Sequence, residues 1–205
     1  MQSNSEPRSG LIFNGHIERE IIDLIGRARE YVYLVSPFNK YGPELRGQLK
    51  QAIKRDVRVR AICRSGARDR ASVDWLARAG ASVVSVNKLH AKIYMNESTA
   101  LLTSMNLYER SSTDAPEVCV RVGPSEHASL REYVQDLRDK GAILRPQGHC
   151  IRCGKSKVFD REKPYHRHGC WEQWDKNDNH PEHYCHGCGQ EYEITRANPL
   201  CNECA

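Results

Sequence analysis

The chain has 205 residues, of which 39% are hydrophobic and 28% charged, with a formal net charge of +5. That length holds one ordinary domain plus a small appendage, and no apolar run approaches the roughly 20 residues of a spanning helix. The opening MQSNSEPRSG lacks the apolar segment of a secretory signal, so a soluble, cytoplasmic protein with no membrane partner is expected.

A polar tail, residues 1–10, opens the chain. Ile17, Ile21, Leu24, Ile25 and Ala28 then recur at helical spacing and predict an amphipathic helix from about His16 to Glu30. Tyr31 to Val35 reads as a buried strand stopped by Ser36-Pro37. Pro43 opens a helix to about Lys54, and Val57 to Cys63 alternates as a strand ending at Arg64. A helix from Arg70 to Ala79 is ended by Gly80 and followed by the strand Ala81 to Val86. This alternation argues for an α/β layer with parallel strands. Lys92 to Met95 and Thr99 to Thr103 flank a polar turn, Asn96-Glu97-Ser98, and read as a β-hairpin. Leu107 to Ser112 is a short helical or loop stretch, Glu117 to Val122 a strand and Ser125 to Lys140 a helix. Cys63 and Cys119 lie among apolar neighbours as core residues.

The hairpin carries the chemistry. With the turn centred near Glu97, Lys92 falls roughly opposite Leu102 and His90 roughly opposite Ser104, so His90, Lys92, Ser104 and Asn106 can converge. An imidazole, an ammonium, a hydroxyl and a carboxamide supply one nucleophile or proton carrier and several donors for an oxyanion. No carboxylate cluster of the kind that holds Mg²⁺ sits beside them, so no catalytic metal is expected.

HAKIYMN followed by TSMNLYE resembles the His-x-Lys and Ser-x-Asn motif of the phospholipase D superfamily, in particular its short, single-motif nuclease-like members. The family's Asp falls on Glu97 or, one residue earlier, on Asn96, and Thr103 stands where the family usually has Gly. The resemblance implies a phospholipase D-like mixed sheet flanked by helices, with His90 attacking phosphorus to form a phosphohistidine. A second His would protonate the leaving oxygen and then activate water, while Lys92, Ser104 and Asn106 hold the non-bridging oxygens. It also gives Glu117 the role of orienting the nucleophilic His. The family needs two motifs per active site and this chain carries one, which implies an isologous homodimer.

Residues 148–205 form a separate unit with an internal repeat. Cys150-x-x-Cys153-Gly and Cys185-x-x-Cys188-Gly are each followed after twelve residues by a further ligand type, His166 and Cys201, at an offset of 35 residues. Cys204 completes the second set and Cys170, with one inserted residue, the first; His168 is an alternative to His166. Thiolates and imidazole in this spacing suit two structural Zn²⁺ sites in tandem ribbons, too small and too poor in apolar residues to fold without metal. The nine cysteines, an odd number mostly in or near CxxC pairs, fit metal binding in a reducing compartment better than disulfides.

Charge divides unevenly. Residues 1–149 carry 23 Lys and Arg against 17 Asp and Glu, and residues 150–205 carry 8 against 9. The basic stretch from Arg46 to Arg70 suits a polyphosphate partner, with Arg64 and Ser36 as candidate substrate contacts. Residues 11–147 are therefore expected to be a phosphodiesterase domain, most simply a metal-independent nuclease acting on nucleic acid, DNA before RNA. The alternatives are a phospholipid phosphodiesterase or transferase and a catalytically silent nucleic-acid or protein-binding module. Residues 171–205, with two basic against seven acidic residues, point to a protein partner for the second ribbon.

Overall fold

The computed structural model describes residues 10–66, 70–108, 116–174 and 176–204. Residues 1–9, Arg68 and the part of the Leu107–Ser112 stretch beyond Tyr108 lie outside them. Two compact units emerge, one from the residues up to Leu76 with Gly80–Leu144, the other from Ala77–Ala79 with the residues from Arg145 onward.

In the first unit β1 (Gly10–Phe13) leads into α1 (Gly15–Arg27), β2 (Tyr31–Val35), β3 (Asn39–Lys40), α2 (Pro43–Lys54) and β4 (Arg58–Arg64). Then follow α3 (Arg70–Arg78), β5 (Ser82–Val86), β6 (Ile93–Asn96), β7 (Ala100–Thr103), β8 (Leu107–Tyr108), β9 (Val118–Arg121), α4 (Pro124–Asp139) and β10 (Ala142–Ile143). Eight strands form one mixed sheet in the order β1-β9-β7-β6-β2-β4-β5-β10. β2, β4 and β5 are parallel, as the alternation of helix and strand predicts, and the remaining neighbours are antiparallel. β2 is buried at all five positions, which is what a near-continuous apolar run in a parallel sheet requires. The predicted stripe of α1 is buried at Ile17, Ile21, Leu24 and Ile25, each such side chain contributing about 1.5–3 kcal/mol.

The hairpin forms with a register one residue away from the expected one. Leu102 pairs with Ile93, not Lys92, and Thr103 N donates to Lys92 O at 3.2 Å. The cause is Asn96, whose buried side chain closes the turn. Its Oδ1 accepts from Ser98 N at 2.9 Å and Thr99 N at 2.8 Å, and its Nδ2 donates to Leu24 O at 2.8 Å, tying the turn to α1. Glu97 works differently. Its carboxylate accepts backbone N–H bonds from Arg29, Glu30 and Tyr31 at 2.9, 3.3 and 3.5 Å, fastening the entry to β2. Both residues that compete for the family's Asp place are thus structural.

Burial works against the Glu97 charge, but those backbone donors outweigh it and hold the carboxyl below its ordinary range. A lowered folded-state value adds stability above the unfolded pKa and loses it as pH falls through the folded one. Glu97→Gln is expected to cost about 1–2 kcal/mol at neutral pH. In urea titrations the gap to the parent protein should close on acidification, and a gap that stays constant would rule out the charged acceptor as its cause.

In the second unit β11 (Gln147–His149) pairs with β12 (Ser156–Val158), and β13 (Glu182–Tyr184) with β14 (Glu191–Ile194). Its small core gathers Cys150, Ile151, Tyr165 and Ile194. A buried ion pair crosses between the two repeats. Glu182, 2% exposed, meets the Arg152 guanidinium and accepts from Tyr165 OH at 3.0 Å, so the charge that β13 buries is paired and hydrogen-bonded.

Candidate active site and metal centres

Strand direction decides which residues meet. Because β6 runs antiparallel to β2, the segment before β6 lies at the carboxyl end of β2 and of its parallel neighbour β4. β7 ends and β9 begins at that same end. Glu117, then Ser104 and Asn106, then His90 and Lys92, then Ser36, then Arg64 are therefore ranged along one end of the sheet, following β9, β7, β6, β2 and β4. At about 4.8 Å per strand, Glu117 and Arg64 flank the His90 segment at two strand spacings on either side, near 10 Å. The carboxyl ends of parallel strands are where open sheets place ligands.

His90 is exposed and makes no hydrogen bond among the described residues, while Lys92 is half-buried. The corner after β7 is held from several sides. Thr103 Oγ1 donates to Val118 O at 2.9 Å and accepts from Met105 N at 3.0 Å, and Tyr94 OH donates to Met105 O at 2.9 Å. The Thr in the Gly place thus braces the corner. Asn106, one residue on, is half-buried and its Oδ1 has no hydrogen-bond partner among the described residues. Such unmet acceptors are uncommon in folded proteins.

Ser104 Oγ donates to Glu117 Oε2 and accepts from Val118 N at 3.0 Å. This differs from the role the resemblance gives Glu117, since its carboxylate meets Ser104 and not His90. Two strand spacings separate Glu117 from the His90 segment, whereas Ser104 is on the adjoining strand. Glu117 is fixed in turn by Asn14, whose Oδ1 accepts from Glu117 N at 3.0 Å and whose N donates to Glu117 O at 3.1 Å. Asn14 was missed by the sequence reading. Its positive φ of 49°, a conformation asparagine tolerates better than most residues, marks it as a turn between β1 and α1.

Ser36 requires a correction. It is fully buried, its hydroxyl donates to Phe38 O at 2.7 Å and accepts from Leu107 N at 3.2 Å, so it ties the turn before β3 to β8 instead of meeting a substrate. Arg64 is half-buried at the end of β4, where it lines a pocket with Ser65, Gly66 and Arg70.

In the second unit two groups of ligand atoms come together. Cys150, Cys153, His166 and Cys170 form one, and Cys185, Cys188, Cys201 and Cys204 the other, the atoms of each within 4.8 Å of one another. His166 Nδ1 lies 3.3 Å from Cys153 Sγ, which favours His166 over His168. Burial works against a thiolate at Cys185, yet N–H donors from Cys201, Cys188 and Gly187 bring its pKa down to about 7. Cys204 is pushed up, by burial first and then by its charged neighbour Cys185. Without a cation, then, one thiolate suppresses the next. A divalent ion with a preference for sulfur and nitrogen removes that conflict, and both groups have the donors to hold one.

The family model described as "Cardiolipin synthase, PLD-like domain" matches residues 21–138, more than half of the chain. Among solved structures the fold is similar to Nuc, a phospholipase D family member from Salmonella typhimurium. The TM-score is 0.60 at 19% identity, covering 68% of this chain and 99% of that one. NucT from Helicobacter pylori gives 0.58 at 15% identity, covering 67% and 99%. TrmBL2, an archaeal chromatin protein described with a novel mode of DNA binding, gives 0.51 at 11%, covering 69% and 56%. A search of curated proteins finds no match. With the motif residues gathered at one end of a sheet of this topology and the family's model spanning the unit that carries them, the chain belongs to the phospholipase D-like family.

Proposed function

We propose that this protein is a nuclease, cutting nucleic-acid phosphodiesters at a homodimeric site without a metal ion in the chemistry. The observation that carries the reading is the placement of His90, Lys92, Ser104 and Asn106 at one sheet end. In the reaction, His90 Nε2 bonds to phosphorus as the P–O bond to the leaving strand breaks. His90 of the partner subunit gives that oxygen its proton, then takes one from the water that cleaves the phosphohistidine. Lys92 and Asn106 hold the non-bridging oxygens as their charge grows. Ser104, anchored by Glu117 and the β9 backbone, fixes the corner that presents Asn106. Zinc in the two ligand groups is structural in this reading.

An exposed apolar face supports the dimer. Leu11 pairs with Val120, Phe13 with Val118 and Leu102 with Val120, so these five side chains share one face of β1, β9 and β7. They are 40–64% exposed and adjoin Ser104. A two-fold through this face would bring a second copy beside the motif and cover the patch. Leu102→Glu with Val120→Glu is expected to give a monomer with activity reduced about 100-fold or more, since half of each site is then missing. Light scattering and kinetics on one sample test this, and a fully active monomer would contradict it.

The family description favours a second reading, lipid phosphodiester transfer. Labelled single- and double-stranded DNA and RNA, assayed beside headgroup release from anionic liposomes, separate the two. Release without cleavage would overturn the nuclease reading.

A further inference from the structure

The second unit holds an aromatic assembly that neither the proposed chemistry nor the metal sites use. Trp171 and Trp174 stack with centroids 4.6 Å apart and planes 29° apart, and the turn between them is closed by Trp174 N donating to Trp171 O at 3.1 Å. Tyr165 packs against Trp171 at 6.0 Å, tilted by 54°. The Arg196 guanidinium lies 4.7 Å from the Trp174 centroid and 5.7 Å from that of Trp171, steadied by Asp178 Oδ1 at 2.7 Å and Glu162 O at 3.1 Å. Trp171 N donates to His166 O at 3.0 Å, so the pair is tied to a member of the first ligand group.

Burial distinguishes a core cluster from a platform. Tyr165 is 4% exposed and belongs to the small core. Trp171 is 38% exposed although one of its ring faces is taken by Trp174. Leaving so large an apolar ring in water is costly where the chain could have used a polar residue. The ring is held rigid by the stack, by Tyr165 and by a cation, so little entropy remains to be lost when a planar partner adds to its exposed part. The basic side chains that can meet a partner's phosphates precede Trp171 in the chain, while the exposed Glu172 directly follows it. Residues 150–170 carry six Lys and Arg against two acids, and Lys155, Arg161, Lys163 and Arg167 are exposed.

We propose that Trp171 is a stacking platform for an unpaired nucleobase, and that Lys163 and Arg167, exposed in the stretch just before it, meet the strand's phosphates. The first repeat is then a binding site for single-stranded nucleic acid. The idea rests on the nuclease reading only for the source of the strand. Bases in a duplex are already stacked on both faces, so such a platform discriminates against double strands. Lys163 and Arg167 add a salt-dependent, sequence-independent contribution.

The test uses the full chain with its zinc and three probes of equal length: a 12-nucleotide thymidine strand, the same strand with all bases removed, and a blunt duplex. Stacking one base predicts that the thymidine strand binds about tenfold tighter than the abasic strand, and that only the former quenches tryptophan fluorescence. Trp171→Phe should keep most of the difference. Trp171→Leu, which retains an apolar side chain against Trp174, should abolish it with the zinc content unchanged. Equal affinity of the parent protein for base-bearing and abasic strands, which requires no variant, would overturn the proposal, as would Trp171→Leu binding like the parent. Cleavage of the same strands is scored separately. Base-dependent binding without any cleavage would sink the nuclease reading and leave the platform standing, while cleavage without base dependence would do the reverse.

Discussion

His90→Ala should bring turnover down by about 10⁴-fold or more while leaving both the fold and the assembly state as they are. The ring is exposed and takes part in no hydrogen bond among the described residues, so its removal leaves no buried group unpaired. Lys92→Ala and Asn106→Ala remove charge stabilisation instead of the nucleophile and should cost on the order of 10²-fold each. The measurement is single-turnover cleavage of a labelled strand at saturating protein. A base quench preserves the phosphoramidate bond and should leave label on the parent protein and none on His90→Ala. Undiminished cleavage by His90→Ala would end the phosphohistidine mechanism. Full activity in EDTA is expected as well, and loss of activity that returns only with Mg²⁺ or Mn²⁺ would contradict chemistry without a metal.

The second large effect belongs to the cysteines. Cys185→Ser with Cys188→Ser should release one of two zinc ions per chain and unfold the β13–β14 region. Binding energies of about 10–16 kcal/mol for structural zinc exceed anything a core of this size supplies. Metal analysis beside amide hydrogen exchange reads both consequences, and exchange in the β2–β7 sheet should stay as slow as in the parent. Two zinc ions retained, or unchanged protection at Glu182–Tyr184, would show that the second ligand group does not hold the repeat together. Because zinc displaces protons from thiols, occupancy should fall as pH is lowered.

How far these features could be read from the chain depended on whether local periodicity or distant partners set them. The alternation in Lys92–Met95 and Thr99–Thr103 sufficed for the hairpin, because period-two burial is a local property. Its register was not legible. One buried carboxamide, Asn96, shortens the effective turn through bonds to Ser98, Thr99 and the distant Leu24. β1 escaped notice since four residues, GLIF, are too few to show a period and gain strand character only by pairing with β9, more than a hundred positions away. Ser36 looked like a polar residue at a strand end, free for a substrate. Its commitment to Phe38 and Leu107 depends on β3 and β8, two-residue strands with no signature of their own. The metal ligands lay at the other extreme, since a repeated CxxC with a fixed offset states the grouping directly.

The bond between Asn14 and Glu117 has a practical side for anyone trimming or tagging this protein. The first fourteen residues look expendable, polar at the outset and short of any recognisable element until α1. Yet Asn14 holds Glu117 through one side-chain and one backbone hydrogen bond, and Glu117 holds Ser104. A fusion junction cut just ahead of α1 would keep every motif residue and still loosen the corner that carries Ser104 and Asn106. Such a shortened protein would also lose β1, with Leu11 and Phe13 of the apolar face, and would be slow, a failure easily blamed on the substrate.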